Sequence, residues 1–218
     1  MSHLTFTLER FTNMDLIPEA KLDRSLAIEN NIPGPTSTDI ALVLLNYVKA
    51  TKNNIILNEF MHTTGKTADL CRRVTENPLH LHDLFDQHPL ANKQFETTKQ
   101  TLKGYKDIEY HRTSPLDVDI EALKENKPYD LIYTMLPYKM QQAPNTIETV
   151  ISKTLELWNI AADEGTVILG PDYDKPSIRR QVDMFVKDNK YELETYLDTN
   201  YDNDNEEADP FMFAIRVV

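Results

Sequence analysis

The chain has 218 residues, 40% hydrophobic and 27% charged, with one Cys, one Trp and a net charge of −12. That is enough to bury the core of one domain, and the lone Cys71 excludes a disulfide framework or a multi-thiolate zinc or iron–sulfur site. No apolar run nears the ~20 residues that span a bilayer, no signal peptide opens the chain, and no basic stripe offsets the acids. A cytoplasmic protein with no membrane or nucleic-acid partner is therefore expected.

Taken in chain order, residues 1–33 read as an N-terminal helical extension, with a helix-like stretch over 18–31 and the turn Ile32-Pro33-Gly34-Pro35. An α/β domain over 34–218 follows. Thr36, Ser37 or Thr38 can cap a helix over 38–50, whose wide apolar face (Ile40, Leu42, Val43, Leu44, Leu45, Val48) suits burial. Residues 54–60 (NIILNEF) read as a strand, 67–74 as a helix, 79–85 (LHLHDLF) as a strand, 91–103 as a helix and 108–112 as a strand. A short helix over 121–126 and a strand over 129–134 (YDLIYT) come next, then a helix over 147–162, a strand over 166–169 and a helix over 177–188. Two final strands, 191–197 and 211–218, flank an acidic segment; eight acids and no base fall in 192–209.

Strands alternating with helices predict a mainly parallel seven-stranded sheet with helices on both faces. The terminal run FMFAIRVV should enter it antiparallel, beside the fifth strand. Ligands in such sheets sit outside the carboxyl ends of the strands, where strand order reverses. The turns at 61–66, 83–88, 113–117, 135–142 and 170–175 are therefore the candidates.

The first of these turns, in FMHTTGKT, carries Gly65, Lys66 and Thr67 after a strand, but a phosphate loop needs a glycine where Phe60 stands. A helix start with an exposed lysine explains it better. Asp83 ends the second strand, 18 residues after Gly65, where an acid can accept both hydrogen bonds of a ribose diol. His80 and His82 alternate on that strand, with Asp86 and His88 beyond it. A mixed metal site is one reading, and histidines packed among hydrogen-bonding neighbours the favoured one. Asp202, Asp204 and Glu206 have calcium-loop spacing without the required Gly and distal Glu, so a solvated hairpin loop accounts for them. Cys71 reads as core packing. Tyr133, Met135, Tyr138 and Met140 can line an apolar pocket or the core.

From about Ile32 to Val218 these units resemble the class I S-adenosylmethionine-dependent methyltransferases, in particular their small O-methyltransferase-like branch. NIILNEFMHTTGKT is similar to the first motif, HLHDLFDQHP to the ribose-binding second strand, KGYKDIEYHRTSPLDV to the third strand and adenine turn, YDLIYT to the fourth strand, and EGTVILGPDYDKPSIRRQVDMF to the fifth strand with its Asp-containing turn. The resemblance implies a Rossmann-like sheet, S-adenosylmethionine as cofactor and a small hydroxyl-bearing molecule as methyl acceptor. It places Glu59, Met61 and Gly65 near the methionine portion, Asp83 on the ribose and Ser114 beside the adenine. Asp172, Tyr138 and Tyr173 become the candidate catalytic groups, with His111 a weaker one.

The chain also departs from that pattern. Met61 stands where the first motif has a glycine, Met135 where the fourth strand ends in a metal-binding Asp, and Pro171 where the fifth turn has the first of two acids. Magnesium and calcium want oxygen ligands, so no metal is expected at those positions and transfer should be metal-independent. A catalytically silent protein of this fold, binding a ligand or a partner, is the alternative. A homo-oligomer is left open.

Overall fold

The computed structural model describes residues 14–26, 38–59, 64–83, 91–112, 118–137, 144–197 and 210–218. Its seven strands are β1 (Asn54–Glu59), β2 (Leu79–Asp83), β3 (Ile108–His111), β4 (Tyr129–Thr134), β5 (Val167–Pro171), β6 (Glu192–Leu197) and β7 (Pro210–Arg216). Its helices are α1 (Thr38–Ala50), α2 (Thr64–Arg72), α3 (Ala91–Thr101), α4 (Ile120–Glu125), α5 (Pro144–Ala161) and α6 (Pro176–Asn189).

The strands form one sheet in the order β3-β2-β1-β4-β5-β7-β6. The first five run parallel, and β7 enters antiparallel between β5 and β6. This is the expected Rossmann-like arrangement, with the C-terminal strand beside the fifth. Strand order reverses between β1 and β4, so a crevice belongs at their carboxyl ends.

Period-two alternation explains the two cores. Leu57, Leu81, Leu131 and Leu169 point to one face, where they pack with Val43, Leu44 and Tyr47 of α1 and Ala68 and Cys71 of α2. Ile56, Ile132, Ile168 and Phe213 point to the other, against Leu155 and Trp158 of α5 and Ile178 of α6. Cys71 is buried as expected, and burial pushes its thiol up. At the amino end of β1 the buried Asp130 carboxylate accepts from the backbone amides of Lys52 (2.5 Å) and Asn53 (2.8 Å), fixing the approach to the strand.

Some expected boundaries shift. α2 begins at Thr64 rather than residue 67, so Gly65, Lys66 and Thr67 are its first turn and not a loop. Over the described part of the 18–31 stretch there is a 3-10 turn at Glu19–Lys21, ended by an extended Leu22, and helix only at Ser25 and Leu26. The extended backbone at Leu22 interrupts the helical reading there. This segment is tied to the sheet: the Ile17 amide donates to Tyr47 Oη (3.0 Å), and Tyr196 Oη donates to the Ile17 carbonyl (2.9 Å).

Candidate functional site

At the sheet's reversal point a buried polar chain joins three strands to α5. Trp158 Nε1 donates to Thr134 Oγ1 (3.1 Å), Thr134 Oγ1 to Asn58 Oδ1 (2.9 Å), and Asn58 Nδ2 to the His82 carbonyl (3.1 Å). Each buried donor has its acceptor, so the chain rigidifies the strand ends at no unpaired cost. Sequence reasoning missed it, because Asn58 and Thr134 look like ordinary strand residues until register pairs them.

The next residue of β1, Glu59, pairs in register with Asp83, so the two acids end adjacent strands. Glu59 is 2% exposed and its Oε1 accepts from Thr67 Oγ1 at 2.5 Å. The backbone thus brings together the two acids that the sequence singled out; the Asp83 side chain lies outside the described residues, as do Met61, Ser114, Tyr138, Met140 and the 202–206 acids.

Gly65 has a packing reason. A Cβ on it would meet Thr98 Oγ1 at 2.8 Å and Thr98 Cα at 3.1 Å, so its absence lets α3 approach α2. Lys66 is exposed on that first turn, as a plain helix start requires. Gly170 is explained similarly: a Cβ would lie 2.4 Å from the Phe213 ring and 2.7 Å from the Thr134 carbonyl.

At the β5 end, Asp172 holds a left-handed backbone (φ 65°), a conformation that Asp tolerates better than most residues. Burial raises its pKa, and Asp174 raises it further. Tyr173 is buried and its phenol donates to Asp183 Oδ1 at 2.5 Å, with the Arg179 guanidinium 5.3 Å from its ring centroid. Burial and Asp183 both push that phenol up, so it is a poor base. Tyr133 proves part of the core beneath the crevice, where burial, Glu59 and Asp172 all disfavour its ionisation. It is a neutral phenol beside two carboxylates, and Met135 packs against the same core.

On the opposite face of the sheet, His80 and His82 share a face with Glu109 and His111, since His80 pairs with Glu109 and His82 with His111. His82 and His111 stack with centroids 4.1 Å apart and planes 3° from parallel, and His82 meets Trp158 edge-on. The packing is as expected, but the expected hydrogen bonds to the His82 ring are not formed among the described residues. His82 is fully buried, and neither of its ring nitrogens has a partner among the described residues. Burial lowers the pKa of all three histidines. A cavity of about 220 Å³ opens beside them, lined by His82, His111, Arg112, Asp119 and Leu123.

No protein-family model and no curated protein sequence matches the chain. Solved structures do match. The chain is similar to NodS, an N-methyltransferase from Bradyrhizobium japonicum solved with S-adenosyl-L-homocysteine, with a TM-score of 0.54 and 14% identity over 91% of this chain and 97% of that one. The fold is the class I methyltransferase fold. CalS11, a TDP-rhamnose 3′-O-methyltransferase of calicheamicin biosynthesis, matches with a TM-score of 0.52 and 9% identity, over 93% and 96%. TrmN from Thermus thermophilus matches at 0.57 and 12%, over 90% of this chain and 52% of that one. An N-methyltransferase and a sugar O-methyltransferase fit about equally well, so the likeness is one of fold and does not single out the small O-methyltransferase-like branch.

Proposed function

We propose that this chain binds S-adenosylmethionine and transfers its methyl group to a small hydroxyl-bearing molecule without a divalent metal. The observation that carries this reading is the pairing of Glu59 with Asp83 at the carboxyl ends of adjacent parallel strands, beside the reversal of strand order. A nucleoside laid across those ends meets one acid at its ribose and one toward its amino-acid portion. The cofactor supplies a methyl on a sulfonium, open to in-line displacement. The chain's own residues would have to bind, orient and take the acceptor's proton.

Asp172 is the best-supported base. It sits at the β5 end, and the burial that raises its pKa makes its carboxylate a stronger proton acceptor. Tyr173, committed to Asp183, supports a positioning role instead. The net charge of −12 favours a small acceptor over a nucleic acid.

A catalytically silent protein of the same fold is the second reading, and specific observations favour it. Glu59 is already engaged by Thr67, Gly65 is explained by Thr98, and Met61 replaces the motif's glycine. Calorimetric titration with S-adenosylmethionine and S-adenosylhomocysteine separates the readings. Binding of either at one site per chain supports the first; heatless titrations with both support the second.

A further inference from the structure

The residue square on β2 and β3 has a geometry that the methyl-transfer reading does not use. His80 Nδ1 lies 3.3 Å from Glu109 Oε2, and His111 Nε2 lies 3.6 Å from the same oxygen. The donor atoms of His80, Glu109 and His111 all fall within 4.8 Å of one another. Neither contact is a hydrogen bond: His80 Nδ1 and His111 Nε2 have no hydrogen-bond partner among the described residues. With both nitrogens of His82 and the Tyr129 hydroxyl, five buried polar atoms without a hydrogen bond among the described residues collect on one sheet face. Unsatisfied buried polar atoms are rare singly, and a cluster of them is a feature of ligand and ion sites.

Tetrahedral zinc with bonds of ~2.0–2.2 Å holds its ligand atoms roughly 3.3–3.6 Å apart. That is the spacing of the two nitrogen–oxygen contacts. Two imidazoles and one carboxylate also form a donor set suited to zinc rather than to magnesium or calcium, which take oxygen. We infer that His80, Glu109 and His111 form a zinc site with a fourth position open to water, which staples β3, the edge strand, to β2. Glu109 has a side chain 53% exposed, which gives the ion its way in, while the histidines hold the inner side. His82, stacked flat on His111, fixes that ring's orientation without itself being a ligand.

The site shares β2 with the methyl-transfer crevice, since His80 stands three residues before Asp83 on that strand. Its side chains lie on the face opposite Tyr133 and the Glu59–Thr67 contact.

The test is equilibrium dialysis of chelator-stripped full-length protein against zinc, with bound metal measured by mass spectrometry and cobalt used as a spectroscopic stand-in. One zinc per chain is expected, with the strong visible bands of four-coordinate cobalt. Glu109→Gln should weaken binding at least ~10-fold, and His111→Ala should abolish it. Glu109 is exposed, so Glu109→Gln keeps the test meaningful if the histidine variant fails to fold. Absence of stoichiometric zinc, octahedral cobalt bands, or zinc binding unchanged in folded Glu109→Gln would each overturn the assignment. The last would move the metal to other histidines or to the acidic segment.

Discussion

Glu59, the last residue of β1, accepts a 2.5 Å hydrogen bond from Thr67 in the first turn of α2, with its carboxylate almost wholly buried. The bond fixes how the strand hands over to the helix at the point where a cofactor's amino-acid portion would lie. Thr67→Val keeps the shape and removes the donor, leaving a buried carboxylate short of one partner. Loss of such a bond costs about 1–3 kcal/mol, so thermal denaturation should show a clear fall in Tm. An unchanged Tm would mean that Glu59 does not depend on Thr67.

Gly65 distinguishes packing from ligand contact. Gly65→Ala drives a Cβ to within 2.8 Å of Thr98 Oγ1 and should cost about 1–3 kcal/mol. Thr98→Ala removes both offending side-chain atoms, so the double variant should recover much of that loss. Recovery in a double-mutant cycle by urea denaturation marks Gly65 as a helix-packing residue. Additive losses would place its role elsewhere.

How far the fold could be read from the sequence depended on whether a signal was local. The helix over 38–50 and the strand over 129–134 match to the residue because each carries its own apolar pattern. The start of α2 did not, because Gly65 looks like a loop glycine and only the approach of Thr98 shows why a helix wants it there. The His-x-His of β2 was visible, while the nearby Asp86 and His88 lie outside the described residues. What the structure sets opposite it is the Glu-x-His of β3, 27 or more residues on, which only the register of two parallel strands brings there. The Asn58–Thr134–Trp158 chain was hidden for the same reason.

Asp172 carries a pH signature. Its folded pKa is raised, so between the ordinary carboxylate value of ~3.9 and that raised value the folded state holds more protons than the unfolded one. Stability contributed by Asp172 therefore falls as pH rises through this window. Asp172→Asn removes the penalty, so its Tm should exceed wild type near neutrality and converge with it below the carboxylate range. If Asp172 is the base, methyl transfer should also fall by about 10²-fold or more. A variant no more stable at neutral pH would contradict the burial argument, and one with full activity would remove Asp172 from the chemistry.

Metal dependence follows from the β4 and β5 ends. Met135 and Pro171 offer no side-chain oxygen to magnesium, and Asp172 alone would hold it weakly. Screening hydroxylated small molecules should give turnover that neither needs added magnesium nor falls in Glu109→Gln. Turnover that EDTA abolishes and magnesium restores would show that the fourth-strand motif has been aligned wrongly.

The central claim is that the crevice beside Glu59 and Asp83 receives S-adenosylmethionine. Isothermal calorimetry of the purified chain with S-adenosylmethionine and S-adenosylhomocysteine tests it most directly, run in parallel on Asp83→Ala. The prediction is one site per chain in the wild type, and a loss of about 2–5 kcal/mol in the variant as charge-assisted hydrogen bonds to the ribose disappear. No binding of either ligand to the folded wild type, or equal binding by Asp83→Ala, would contradict it.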